Sequence, residues 1–468
     1  MFELAMPGSA WSERAHIAQW VFRDRLGLDV HLVRSPKRDR ATLRGPDGRT
    51  ITFPDRDLGH WDARWLVPES LTDFQLQVVS NGLPRWARDA CPSGYVRSGE
   101  DGCISESANG LELDVDVHAI IFLLLTRYDE ALAIRRDEYS RPLTQDQVLP
   151  RAGLQRRPVV DQLIELLRGA INYLWPLWPT RRTRFSVEST HDVDQLFAFV
   201  TCSPYEFAKV LAHSAARHGL GDASRVARDY TRTKCAGPSA DPSNTFSWIM
   251  DQSEKRGMSS RFFFQTSLSG VDRAWKRNVY NLLDDAPQDI LRNILSRGHD
   301  VGLHPSFASS DIVELRKEKN YLLRALEKSG HSGNRRVGNR QHFLRFDPIH
   351  SPVNWSAAGF DYDSTIGYPD DVGFRAGTCH PYPLYDLRGR RSLPVIERPL
   401  ILMDATLIRP QYMGINLRSE GGYSEAANLV TNLSDECRRV GGQFTILFHN
   451  NVLSAPAAKE LFIHCLDS

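Results

Sequence analysis

The stretch Arg184-Phe185-Ser186-Val187-Glu188-Ser189-Thr190-His191-Asp192-Val193-Asp194 reads as a buried strand that ends on two carboxylates. Strand side chains alternate with period two, so Asp192 and Asp194 project from one face, close enough to divide metal binding and proton transfer between them. An Asp-rich turn that only closes a strand has the same composition. A second run, Gly298-His299-Asp300-Val301-Gly302-Leu303-His304-Pro305-Ser306, again ends apolar residues on an imidazole. A carboxylate and a histidine from different strand ends are the material of an open, catalytic zinc-type site. Two more histidines stand in comparable places. His342 lies in Arg340-Gln341-His342-Phe343-Leu344-Arg345-Phe346, two residues from Arg340 and so on the same face of a strand, and His449 ends the apolar run Phe444-Thr445-Ile446-Leu447-Phe448.

Strand-like and helical stretches alternate around these motifs. Ser260-Arg261-Phe262-Phe263-Phe264-Gln265 reads as a strand and residues 288–297 as a helix, which argues for parallel strands with helical crossovers. The loop 236–244, between the first two motifs, is a candidate for the substrate rim. Ahead of them the pattern differs. Residues 12–100 mix short strand-like runs with turns, including a hairpin around Pro46-Asp47-Gly48, and a helix is expected from 116 to 135 with Ile120, Leu123, Leu124 and Tyr128 on its apolar face. A further helix should run from 158 to about 174, broken by Trp175-Pro176. A chain of 468 residues exceeds one ordinary core, so two domains are expected, an α+β domain over 1–180 and an α/β domain over 181–468.

In their order, the motifs of residues 183–468 resemble the polysaccharide deacetylases of carbohydrate esterase family 4. Thr190 to Asp194 is similar to the family's Thr-Phe-Asp-Asp element, Gly298 to His304 to its Gly-His-Glu-Ile-Gly-Asn-His, Arg340 to Phe346 to its arginine motif, Gly359-Phe360-Asp361-Tyr362-Asp363-Ser364-Thr365 to a Gly-Phe-x-Tyr-Asp-Ser-Ser element, and Leu447-Phe448-His449 to its closing Leu-x-His. Residues 114–130 resemble a helix of the accessory domain that precedes this subgroup in bacteria. The resemblance implies a distorted (β/α)7 barrel with its chemistry at the strand C-termini, preceded by a smaller α+β domain. It implies a divalent ion on Asp194 and His304, zinc first, with cobalt, nickel or manganese as alternatives. The family's second metal histidine falls on Ala308, so the third ligand is assigned to His342, with His299, a two-ligand site or no metal as the other outcomes. Asp192 would be the general base, Arg340 the group that holds it ionised, and His449 the general acid. Arg345, Arg375 and Tyr362 are the substrate-binding candidates. Each has a plainer competitor: the arginines could pair with surface carboxylates, His449 could cap a strand, and His299 could pack locally.

The implied activity is hydrolysis of an N-acetyl or other N-acyl group on an amino sugar or glycan during bacterial surface polysaccharide biosynthesis. Hydrolysis of another non-peptide C–N bond is the enzymatic rival, and an inactive barrel that binds glycan or scaffolds a complex is the other, kept open by Ala308. A formal net charge of +1 argues against a nucleic-acid partner. The longest apolar run, residues 119–125, is too short for a transmembrane segment, and no leader pattern is visible at the start. Seven scattered cysteines without a CxxC pair suit a reducing cytoplasm, the expected compartment. Asp116, Asp129 and Glu130 suggest either a second metal site or capping, with capping favoured. The oligomeric state is not legible.

Overall fold

The computed structural model describes residues 1–35, 39–72, 74–98, 103–266, 280–331 and 336–468. Phe2, Leu4 and Met6 alternate into the core and make β1 (Phe2–Pro7), a strand that sequence reading treated only as a leader question. It pairs in parallel with β2 (Val30–Ser35) and antiparallel with β3 (Arg40–Arg44), which continues through the expected hairpin into β4 (Thr50–Pro54). Beyond a separate pair, β5 (Leu76–Val79) and β6 (Tyr95–Ser98), the strands β7 (Ser105–Ser107) and β8 (Gly110–Glu112) complete a six-stranded sheet in the order β2-β1-β3-β4-β8-β7.

The helix expected from 116 to 135 is shorter, Val117–Thr126, and ends where Arg127 turns left-handed at φ 53°. All ten of its residues are buried, because it is packed against neighbours on every side and not along one face. Asp116 caps it, accepting from the Ala119 N–H at 3.0 Å, so capping is what the structure assigns to this carboxylate. The helix Val159–Leu174 stops ahead of Trp175-Pro176, as the sequence suggests.

The second sheet holds nine strands: β9 (Ser186–Val193), β10 (Ser260–Phe264), β11 (Asp300–Leu303), β12 (Gly338–Asn339), β13 (Tyr362–Asp363), β14 (Tyr382–Asp386), β15 (Arg391–Glu397), β16 (Leu402–Met403) and β17 (Gln443–Leu447). Their order is β14-β15-β13-β12-β11-β10-β9-β17-β16, and every pair is parallel except β14 with β15. The chain passes directly from Glu397 to Leu402, a span of at most ~18 Å. Those two strands stand seven places apart in the sheet, which laid flat would be about 34 Å. The sheet is therefore curled into a half-barrel. Nine strands replace the expected seven because an antiparallel hairpin, β14 and β15, is added at one edge.

Inward-facing residues form layers. Glu188, Arg261, Asp300 and Arg398 make a partly buried ion network at the bottom, with Arg261 3.4 Å from Glu188 and 3.6 Å from Asp300. Tyr362 belongs to this layer. Its ring lies where a Cβ on Gly338 would sit, 1.9 Å away, and both Arg261 and Arg398 face it. Two residues further along the alternating strands come Thr190 and Ser364, and then Asp192 at the mouth.

A continuous apolar core includes residues of both sheets. Buried charges cross between them. Glu13 accepts from the Tyr385 hydroxyl at 2.7 Å and from Arg390, and Asp161 accepts from Arg25, Thr378 and the Cys379 N–H. Arg375, expected at the substrate, instead forks onto Glu130 at 2.9 and 2.6 Å, and both are almost fully buried. Arg127 also donates to Glu130, sharing Oε1 with Arg375, at 2.7 Å. Removing Arg375 leaves Asp129 and Glu130 to share the single guanidinium of Arg127, an excess of buried negative charge. The variant Arg375→Ala should therefore lose about 3–5 kcal/mol of stability in chemical denaturation.

Candidate functional site

β9, β11, β17 and the segments after β12 and β16 end at one mouth of the half-barrel. A cavity of about 50 Å³ there is lined by Asp192, Asp194, His304, His342 and His449, and walled by Arg141, Phe343, Leu344, Met403, Arg409 and Tyr412. Asp192 is the penultimate residue of β9 and Asp194 follows its end, so the strand pleat aims both carboxylates inward. His191, just before Asp192, points the other way. Its Nδ1–H donates to the Phe448 carbonyl, Ser189 donates to its Nε2, and burial lowers its pKa to about 3, which keeps it neutral.

Asp194, His304 and His342 bring one donor atom each within 4.8 Å of one another. His304 donates Nδ1–H to the Arg340 carbonyl at 2.6 Å, which leaves the Nε2 lone pair facing Asp194 at 3.2 Å. His342 Nε2 lies 3.6 Å from the same oxygen, and Gln265 steadies that carboxylate at 3.0 Å. One carboxylate and two imidazoles with inward nitrogens match the donors of a catalytic zinc site. His299 is not among them, because its ring takes the Ser260 N–H and reaches Glu254. A second cluster, Asp161 with Cys379 and His380, has its carboxylate already occupied by Arg25 and Thr378, which marks it as a structural tie.

Two pairs flank the triad. Arg340, with no exposed surface, donates to Thr190 Oγ1 at 2.8 Å, to Asp192 Oδ1 at 3.2 Å and to Ser364 at 2.9 and 2.8 Å. Opposite it, His449 donates Nδ1–H to Asp404 at 2.7 Å, its backbone N–H donates to the same carboxylate, and its Nε2 lies 3.9 Å from Asp194. Burial opposes charge on His449, yet Asp404, assisted by Asp194 and Asp192, outweighs it and raises the imidazole to about 9. This arrangement puts a carboxylate fixed by a guanidinium and a readily protonated imidazole on opposite sides of a trio of ligand atoms.

Of the residues singled out by sequence, Asp192, Asp194, His304, His342, His449 and Arg340 come together. Three do not. Tyr362 sits a layer below, under Arg340, and Arg375 is spent on Glu130. Arg345 donates to the Tyr139 and Phe307 carbonyls and lines a neighbouring cavity of about 380 Å³ with Gln341 and Trp355. His342 also arrives by a route the alternation argument missed. β12 ends at Asn339, and His342 is carried by a tight turn whose Phe343 and Leu344 have φ of 61° and 52°. The loop 236–244 is tied through Asp241 to the backbone of Ala198 and Phe199 and does not line this cavity. Asp404, Arg141 and Gln265 were not found by sequence. Asp404 follows the two-residue strand β16, so it obeys the same strand-end rule, but so short a strand leaves no alternation to read.

Residues 4–176 match the model of a family of unknown function (DUF7033). No curated protein matches the sequence. Among solved structures, one from Mycobacterium smegmatis described as a polysaccharide deacetylase is similar at 20% identity and a TM-score of 0.37, over 62% of this chain and 85% of that one. Puue allantoinase is similar at 14% identity and a TM-score of 0.36, over 62% of this chain and 86% of that one. No helix among the described residues is long and apolar enough to cross a membrane.

The Asp404 contact can be checked by titration. In metal-free protein followed by imidazole NMR, His449 should stay protonated until the pH approaches about 9. Asp404→Asn removes the main charge raising the pKa and leaves burial in control, so the transition should move down by two pH units or more, on the order of the shift an adjacent carboxylate causes.

Proposed function

We propose that this protein is a metal-dependent hydrolase that removes an N-acetyl or other N-acyl group from an amino sugar used in surface polysaccharide. The observation that carries the reading is the convergence of Asp194, His304 and His342 within 4.8 Å, between the Asp192–Arg340 and His449–Asp404 pairs. In this reading residues 181–468 are a deacetylase-type barrel and residues 1–180 an accessory domain that braces it.

Asp194, His304 and His342 would hold the ion, zinc by preference for imidazole and carboxylate donors. When bound, it supplies a Lewis acid that lowers the pKa of water and draws charge from a carbonyl oxygen. The remaining work falls to the chain. Asp192 takes the proton of the attacking water, and Arg340 keeps that carboxylate aimed. His449, held protonated by Asp404, gives its proton to the departing nitrogen, so the amine leaves neutral. The cavity is small enough for an acetyl group beside the ligands, with the rest of the sugar toward Arg409 and Tyr412.

Elemental mass spectrometry of protein purified without chelator should find about one equivalent of zinc or another divalent first-row ion, lost in Asp194→Ala. Acetate release from a panel of acetylated amino sugars should then fall at least about a hundredfold in Asp192→Asn and in His449→Gln. Absence of metal from wild type even after incubation with zinc would sink this reading and favour a glycan-binding barrel. Metal binding with turnover only of non-sugar amides would move the substrate to another C–N bond.

A further inference from the structure

Residues 136–142 belong to the N-terminal half, yet they reach the mouth of the half-barrel. An antiparallel bridge between Arg136 and Pro142 closes them into a tight strap. Asp137 braces it from within, accepting from the backbone N–H groups of Tyr139 and Arg141 at 2.9 Å each and from Arg141 Nε at 2.7 Å. Outward, the strap grips the turn that carries His342. Tyr139 stacks on Phe343 at 4.4 Å and 19°, and Phe343 stacks on His342 at 3.8 Å and 30°. Arg141 lies over the Tyr139 ring and donates Nη1–H to the Phe343 carbonyl at 2.8 Å, while Arg345 donates to the Tyr139 carbonyl at 3.0 Å.

Two adjacent non-glycine residues with left-handed backbone cost energy and persist only where surrounding contacts impose them. Here the strap supplies those contacts, through two stacked rings and two hydrogen bonds. We propose that the strap is a positioning element for His342, so that the region matched by the family of unknown function sets the metal affinity of the barrel's site. This rests on the reading of His342 as the third ligand. Tyr139 does not line the cavity and acts through the Phe343 ring, whereas Arg141 also forms part of the cavity wall.

The test is zinc affinity of the full chain, measured by competition with a chelating dye, in wild type, Tyr139→Leu, Tyr139→Phe, His342→Ala and the double variant Tyr139→Leu/His342→Ala. Thermal unfolding of each metal-free protein serves as the control for folding. Losing one aromatic stack should weaken zinc binding by roughly two- to tenfold in Tyr139→Leu, and Tyr139→Phe should restore it. In the His342→Ala background Tyr139→Leu should cause no further loss, because the ring then has nothing to position. Wild-type affinity in Tyr139→Leu, or an equal loss with and without His342, overturns the proposal and leaves the ligand reading standing. Zinc binding unaffected by His342→Ala, or absent in wild type, overturns the ligand reading and the proposal together.

Discussion

A guanidinium with no exposed surface must find an acceptor for its N–H groups inside the protein, and Arg340 meets that demand by tying three separate strand ends together. It reaches Thr190 and Asp192 at the end of β9 and Ser364 just after β13, and its own carbonyl takes the proton of His304 beyond β11. None of these segments is close to another in sequence. The curl of the sheet brings them within reach, and the cost of leaving the charge unpaired keeps them there. The same residue thus fixes the position of one carboxylate through its side chain and the tautomer of one metal-ligand candidate through its carbonyl.

Around that tie two carboxylates of similar chemistry stand in different surroundings. Asp192 faces Arg340, whereas Asp194, half-exposed, faces two imidazoles. A third carboxylate, Asp404, makes His449 basic despite burial. Each aspartate has its own partner, so a run of strand ends offers three carboxylates in three different surroundings.

The N-terminal half is joined to the barrel by charges as well as by apolar packing. Glu13, Glu130 and Asp161, all buried, each meet a cation or hydrogen-bond donor from the C-terminal half. Such contacts contribute little net stability over an apolar equivalent but fix orientation. Fixed orientation is what a short strap such as residues 136–142 requires in order to act on one turn of the barrel.

Local order was legible in the sequence. The alternation of Arg184 to Asp194, the apolar runs ending on His304 and His449, and the helix ending at Trp175-Pro176 are properties of consecutive residues, and periodicity and backbone chemistry reveal them. Motif order, by resemblance, pointed to the partners Arg340 and His342. What the tertiary structure alone decided was who meets whom across the curled sheet. Arg375 and Tyr362 carry suitable side chains but are claimed by Glu130 and by the layer beneath Arg340, while Asp404 and Arg141, from a two-residue strand and a distant strap, stand at the mouth. A side chain's chemistry is written in one position of the chain, but its partner is set by strand order and curvature, which depend on contacts between residues far apart in sequence.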